Sequence, residues 1–156
     1  MIDKKFIHSG QLYVAARPTY IHTVLGSCVA VCLYDKDTQI SGMNHYLLPL
    51  WNNDGLQSPK YGNIAIPRLI EAMEAVGCSR HSIIAKVFGG ASPNDMKHTN
   101  ENMMIGKRNF QIAESVLKEY GIKIVAQDIG GLNGRKITMD SVTGKIQLKY
   151  TQKSEF

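Results

Sequence analysis

The chain has 156 residues, 44% hydrophobic and 20% charged, which is the ordinary usage of a globular domain and excludes a disordered tail, a collagen-like repeat or a disulfide-stapled miniprotein. Lys and Arg number 18 against 13 Asp and Glu, so the net charge of +5 favours acidic partners. The basic residues are dispersed rather than clustered, the pattern of a solvated surface.

One domain over residues 1–156, with short flexible termini, fits this length. No apolar run approaches the ~20 residues of a membrane span. The first ten residues, MIDKKFIHSG, lack the apolar centre of a secretory signal, so a cytoplasmic location is expected, without membrane insertion. Cys28, Cys32 and Cys78 are an odd number, which argues against a disulfide framework.

In chain order, 11–16 (QLYVAA) reads as a first strand. The β-branched and aromatic run 29–34 and the run 40–48 flank a short polar segment, the signature of a hairpin. Residues 49–63 are turn-rich and form a loop. Ile66, Leu69, Ile70, Met73 and Val76 recur at helical spacing, predicting a helix over 64–76 closed by Gly77; Pro67 is its blemish. A strand at 82–88 runs into Gly89-Gly90 and a polar loop to about Asn102. A second helix fits 106–120, and a strand fits 122–129. The glycine-rich GGLNGR (130–135) then leads to a closing hairpin, 136–140 with 145–150. Strands outnumber helices and hairpins bracket the chain, so the fold class is α+β, built in layers.

Cys28 follows Gly26-Ser27 at the mouth of a strand, where glycine permits close backbone approach. A buried cysteine is more often a small hydrophobe than a nucleophile. What distinguishes Cys28 is His45. If the hairpin loop centres on Lys36-Asp37, paired residue numbers sum to 73, and Cys28 faces His45. Directly opposed Cβ atoms lie ~4.5–5.5 Å apart, within reach of a thiol–imidazole hydrogen bond. Such a pair lowers the thiol pKa and supplies a general base. A slip of one residue would put the two on opposite faces.

Cys28, Cys32, His22 and His45 also compose a candidate metal set. Residues four apart on a strand are ~13 Å apart, too far for both cysteines to share one zinc ion, so no metal is assigned. GGLNGR reads as a tight turn, because a phosphate-binding loop should open a helix whereas a strand follows. Phe88-Gly89-Gly90-Ala91 runs into the turn chemistry of 92–95. His8, His81 and His98 read as surface or packing residues, and Trp51 as a side chain folded over the core or gripping a partner.

LGSCVAVCLYD (25–35) and GMNHYLLP (42–49) resemble the chemoreceptor glutamine deamidases, the CheD family of bacterial and archaeal chemotaxis. The likeness continues through YGNIAIPRLIEAM (61–73), AKVFGGA (85–91), IGKRN (105–109), DIGGLNGRKI (128–137) and TGKIQL (143–148), nearly all of 10–150. It implies a cysteine hydrolase that converts receptor glutamines to glutamates with loss of ammonia. The family nucleophile falls on Cys28, its histidine on His45 and a helper threonine on Thr23. An α/β/β sandwich is implied, as is a CheC-type phosphatase partner in some members. The expected mechanism is a Cys28 thioester with His45 as acid and base, backbone N–H groups at Ser27 and Cys28 holding the oxyanion, and no cofactor. Lys107, Arg108 and Arg135 are the expected surface contacts for an acidic receptor bundle. The competing reading is a non-catalytic basic module that holds an acidic helical protein or nucleic acid.

Overall fold

The computed structural model describes residues 2–92 and 101–151, with 101–104 described by their backbone alone. In chain order the elements are β1 (Asp3–Phe6), β2 (Leu12–Ala15), β3 (Thr19–Leu25), β4 (Val29–Asp35), β5 (Ile40–Asn44), α1 (Gly62–Ala75), β6 (Ile83–Gly89), α2 (Glu101–Glu119), β7 (Lys123–Ile129), β8 (Arg135–Asp140) and β9 (Ile146–Tyr150). They form a four-stranded sheet, β1-β3-β8-β9, and a five-stranded sheet, β2-β5-β4-β6-β7. Among the described residues no helix is long and apolar enough to cross a membrane.

β4 explains the layering. Its apolar run VAVCLYD buries both faces, as a central strand requires. Val29, Val31 and Leu33 pack with Ile66, Leu69, Ile70 and Met73 of α1 and with Ala113 and Leu117 of α2. Ala30 and Cys32 point the other way, into a second core with Ile21, Leu25, Ile137 and Met139 of the opposing sheet. The α/β/β sandwich expected from the resemblance is the architecture observed.

The second strand, fifth strand, first helix and closing hairpin stand within a few residues of their expected places. α1 ends as Gly77 takes φ +105°, and the Gly77 and Cys78 N–H groups bond the Glu74 and Met73 carbonyls. Pro67 lies inside α1. α2 is already helical at Glu101, ahead of the expected Gly106, so Asn102 is helical rather than loop. The expected turn at 93–95 and His98 lie outside the described residues.

β1 and β3 were not anticipated. β1 is exposed along its whole length, and in β3 the buried positions alternate Thr19, Ile21, Thr23 and Leu25, so threonine masks the apolar period.

The β4–β5 register also differs from expectation. Cys32 pairs with Met43 and Asp35 with Ile40, numbers summing to 75 rather than 73. Asp35 is the cause: its Oδ1 accepts the Asp37 and Thr38 N–H groups at 2.8 and 3.4 Å, while its carbonyl accepts the Gln39 N–H at 2.9 Å. Gln39 closes the turn at φ +57°, so the loop comprises 36–39.

Candidate active site

The register change moves Cys28 and His45 from directly opposite to diagonal, and preserves their shared face. Val29 bridges Tyr46, so His45 stands opposite Ala30 and Cys28 is two residues farther along that face. Diagonal neighbours lie roughly 7–8 Å apart, still bridgeable by long side chains. Cys28 is half-buried and packs on the core between the sheets, while His45 is buried at 5% exposure.

His45 is held from the opposing sheet. Its Nδ1 lies 2.7 Å from Thr23 Oγ1, and that hydroxyl also lies 2.7 Å from the Ile7 carbonyl oxygen. A hydroxyl has one proton, and a carbonyl only accepts. Thr23 therefore donates to Ile7 and accepts from Nδ1–H, which leaves Nε2 with the lone pair of a base. The segment after β1 straps this arrangement in place. The Gly10 N–H donates to the His45 carbonyl at 2.7 Å, and the His45 N–H to the Gln11 carbonyl at 3.1 Å.

Burial, then the nearby His8, lowers the His45 pKa to about 4. Burial raises the Cys28 pKa, against a smaller opposing effect of its own backbone N–H. The pair therefore rests as neutral thiol and neutral imidazole. This corrects the expectation of a depressed thiol pKa: an imidazole that stays neutral supplies no positive charge to stabilise a thiolate. Burial raises Cys32 far out of the working range, and that thiol is fully enclosed.

Two glycine-bearing turns hold the Cys28 main chain. The Gly90 N–H donates to the Cys28 carbonyl at 2.9 Å and the Ala91 N–H to the Gly26 carbonyl at 3.0 Å. Gly89 sits at φ +114°, and a Cβ there would collide with the Cys28 carbonyl oxygen. Among the described residues, the Ser27 and Cys28 N–H groups donate to no other residue's backbone.

Arg135 is not the surface contact expected from its place beside the glycine turn. It is 2% exposed, with Nε 2.9 Å from Asp128 Oδ1 and another guanidinium nitrogen 2.8 Å from the Gly130 carbonyl. Its Cζ also lies over the Tyr150 ring, 5.5 Å from the centroid. An arginine has donors enough to brace several carbonyls at once, and here they are spent internally. Lys107 and Arg108 are exposed on α2. His22 lies on the outer face of its sheet, 5.6 Å from Phe6 between ring centres, on the face opposite buried Ile21 and Thr23 and so apart from the other three members of the candidate metal set. Trp51 is half-buried, its Nε1 donating to the Asp54 carbonyl at 3.2 Å.

The chain matches the family model described as CheD chemotactic sensory transduction over residues 47–150. It is 66% identical to a probable chemoreceptor glutamine deamidase CheD of Sulfurimonas denitrificans, covering 99% of this chain and 98% of that protein. A protein of the same description from Trichlorobacter lovleyi is 48% identical, over 94% and 90% of the two chains. One from Archaeoglobus fulgidus is 39% identical, over 84% and 83%. This chain belongs to the CheD family.

Within this CheD chain, one residue at the site escaped the sequence reading. Asn109 of α2 is fully buried and donates its amide to the Ser27 carbonyl at 3.1 Å and the Leu47 carbonyl at 2.9 Å. The available signal was a polar residue in helical line with Ala113 and Val116, where an apolar one belongs.

Proposed function

We propose that this CheD-family chain is a protein-glutamine deamidase that converts glutamine side chains of chemoreceptors to glutamate through a Cys28 thioester. The curated names of its relatives support the reaction class and the substrate. The observation that carries the chemistry is the Thr23–His45 contact: it leaves Nε2 free as a base on the face that Cys28 shares.

In the first half-reaction Nε2 takes the Cys28 thiol proton as sulfur attacks the carboxamide carbon. The N–H groups of Ser27 and Cys28 receive the charge on oxygen, a contribution of about 2.7–4 kcal/mol per donor in a measured protease. As the tetrahedral adduct collapses, the C–N bond breaks and the imidazolium gives its proton to the departing nitrogen, releasing ammonia. In the second, water attacks the thioester carbonyl, its proton passes to Nε2, the C–S bond breaks and the sulfur recovers the proton. Carboxamide and water become carboxylic acid and ammonia, with no outside electron donor or acceptor.

The enzyme would act in the cytoplasm on the receptor's helical region. A CheC-type phosphatase is the expected restraining partner in this reading. Ammonia release from a receptor cytoplasmic fragment by wild type, Cys28→Ala and His45→Ala tests it. Loss in both variants supports the assignment, and full activity in Cys28→Ala removes the nucleophile.

A further inference from the structure

Asn109 bonds both segments that carry the proposed machinery. One amide nitrogen spans the carbonyl of Ser27, the residue before Cys28, and the carbonyl of Leu47, two residues beyond His45. The approach is local and close. Gly106, one turn earlier on α2, comes so near Gly90 that a Cβ would stand 2.6 Å from the Gly90 carbonyl oxygen. Residues three apart share a helix face, so the contact at Gly106 brings Asn109 down onto the same strand ends. The Tyr46 hydroxyl, donating to the Asn109 carbonyl at 2.5 Å, fixes the helix there from below.

The amide's own oxygen gains nothing from this. Asn109 Oδ1 is buried with no hydrogen-bond donor among the described residues. An enclosed acceptor without a partner is unfavourable, so the case for asparagine at this position rests on the two bonds that its nitrogen donates.

We propose that Asn109 is a positioning residue that aims the Cys28 N–H at the developing oxyanion. The peptide between Ser27 and Cys28 is trans, so its C=O and N–H point in opposite directions. Asn109 draws the Ser27 carbonyl toward the helix layer. The Cys28 N–H is thereby turned away from α2, toward the inter-sheet side where Cys28 packs and His45 meets Thr23. Without the amide, that peptide plane loses its tie to α2 and is held only through its neighbours, by the Gly90 and Ala91 N–H groups, so the donor loses its aim. The inference rests on the proposed thioester reaction and adds a requirement to it: acylation depends on Asn109, whereas thiol reactivity does not.

The test compares two reactions of the same thiol in the full chain. Amide hydrolysis passes through an oxyanion; alkylation by iodoacetamide does not. In Asn109→Leu, kcat for a receptor cytoplasmic fragment should fall at least tenfold, with KM and the alkylation rate of Cys28 both within twofold of wild type from pH 7 to 9. An unchanged kcat overturns the proposal. So does a parallel fall of kcat and alkylation, which would mean that the whole site had collapsed. If Asn109→Leu does not fold by circular dichroism, the same comparison is made on Asn109→Ala, which also removes the donor, with the same results deciding. Cys28→Ala, assayed alongside, separates this claim from its foundation. Deamidation by Cys28→Ala removes the thioester reading itself, whereas an inactive Cys28→Ala beside a fully active Asn109→Leu removes only the role of Asn109.

Discussion

Thr23 Oγ1 and His45 Nδ1 lie 2.7 Å apart and join the two sheets at the end of the sandwich where Cys28 sits. The bond does two things. It orients a buried imidazole, and, because the Thr23 proton is committed to Ile7, it places the imidazole proton on Nδ1.

Thr23→Val keeps the shape of the side chain and removes the acceptor. Its kcat is expected to fall roughly 10- to 100-fold, up to the lower edge of the roughly 100- to 10,000-fold that general acid–base catalysis contributes. Nitrogen-15 chemical shifts of His45 should report the Nδ1–H tautomer in wild type and a mixture in the variant. A wild-type kcat in Thr23→Val would mean that the tautomer is set by another group.

The pH profile follows from the resting charges. His45, with its pKa lowered to about 4, stays an unprotonated base well below neutrality. The acid limb of kcat/KM should therefore fall near pH 4, leaving the value at pH 5 within twofold of that at pH 7. The raised Cys28 pKa works in the opposite range, so alkylation should still be climbing at pH 9. An acid limb at pH 6–7 with an alkylation plateau at neutrality would indicate a preformed thiolate–imidazolium pair.

The sequence made the candidate site legible for one reason and incompletely for another. The alternation of β4 and β5 put Cys28 and His45 on one face, and parity survived a two-residue error in register. The error arose because Asp35 caps the turn through its own side chain, a choice that turn composition alone does not reveal. Thr23 could be named only by resemblance, since nothing in IHTVLGSC shows that its strand crosses to the opposite sheet. Arg135 was misjudged because a charged residue beside glycines ordinarily faces water. Here Asp128, Gly130 and Tyr150 enclose it.

Asp35 also sets a stability prediction. Burial would raise its pKa, but the Ser82 hydroxyl and the Asp37, Ser79 and Thr38 N–H groups outweigh it and lower the value from 3.8 to about 2. The carboxylate is fully buried, so its stabilisation is present above pH 3.8 and is lost as the pH falls toward 2. The shift corresponds to about 2 kcal/mol. Asp35→Asn should lower Tm by about 4–8 °C at pH 7. The gap to wild type, followed by thermal unfolding, should narrow between pH 4 and pH 2. A constant gap would mean that packing rather than charge is responsible.

Lys107 and Arg108 remain exposed on α2, available to meet an acidic partner. Reversing both to Glu should raise KM for a receptor fragment several-fold at low salt and leave kcat unchanged. The difference should fade as salt rises, since exposed charges are screened over about 8 Å at physiological ionic strength. Equal KM values at low salt would mean that these side chains do not contact the receptor.

The most direct test of the central claim is mass spectrometry of a receptor cytoplasmic fragment after incubation with wild type and with Cys28→Ala. The account predicts exchange of NH for oxygen at particular glutamines with the wild type, and none with Cys28→Ala. The same exchange by Cys28→Ala would contradict it.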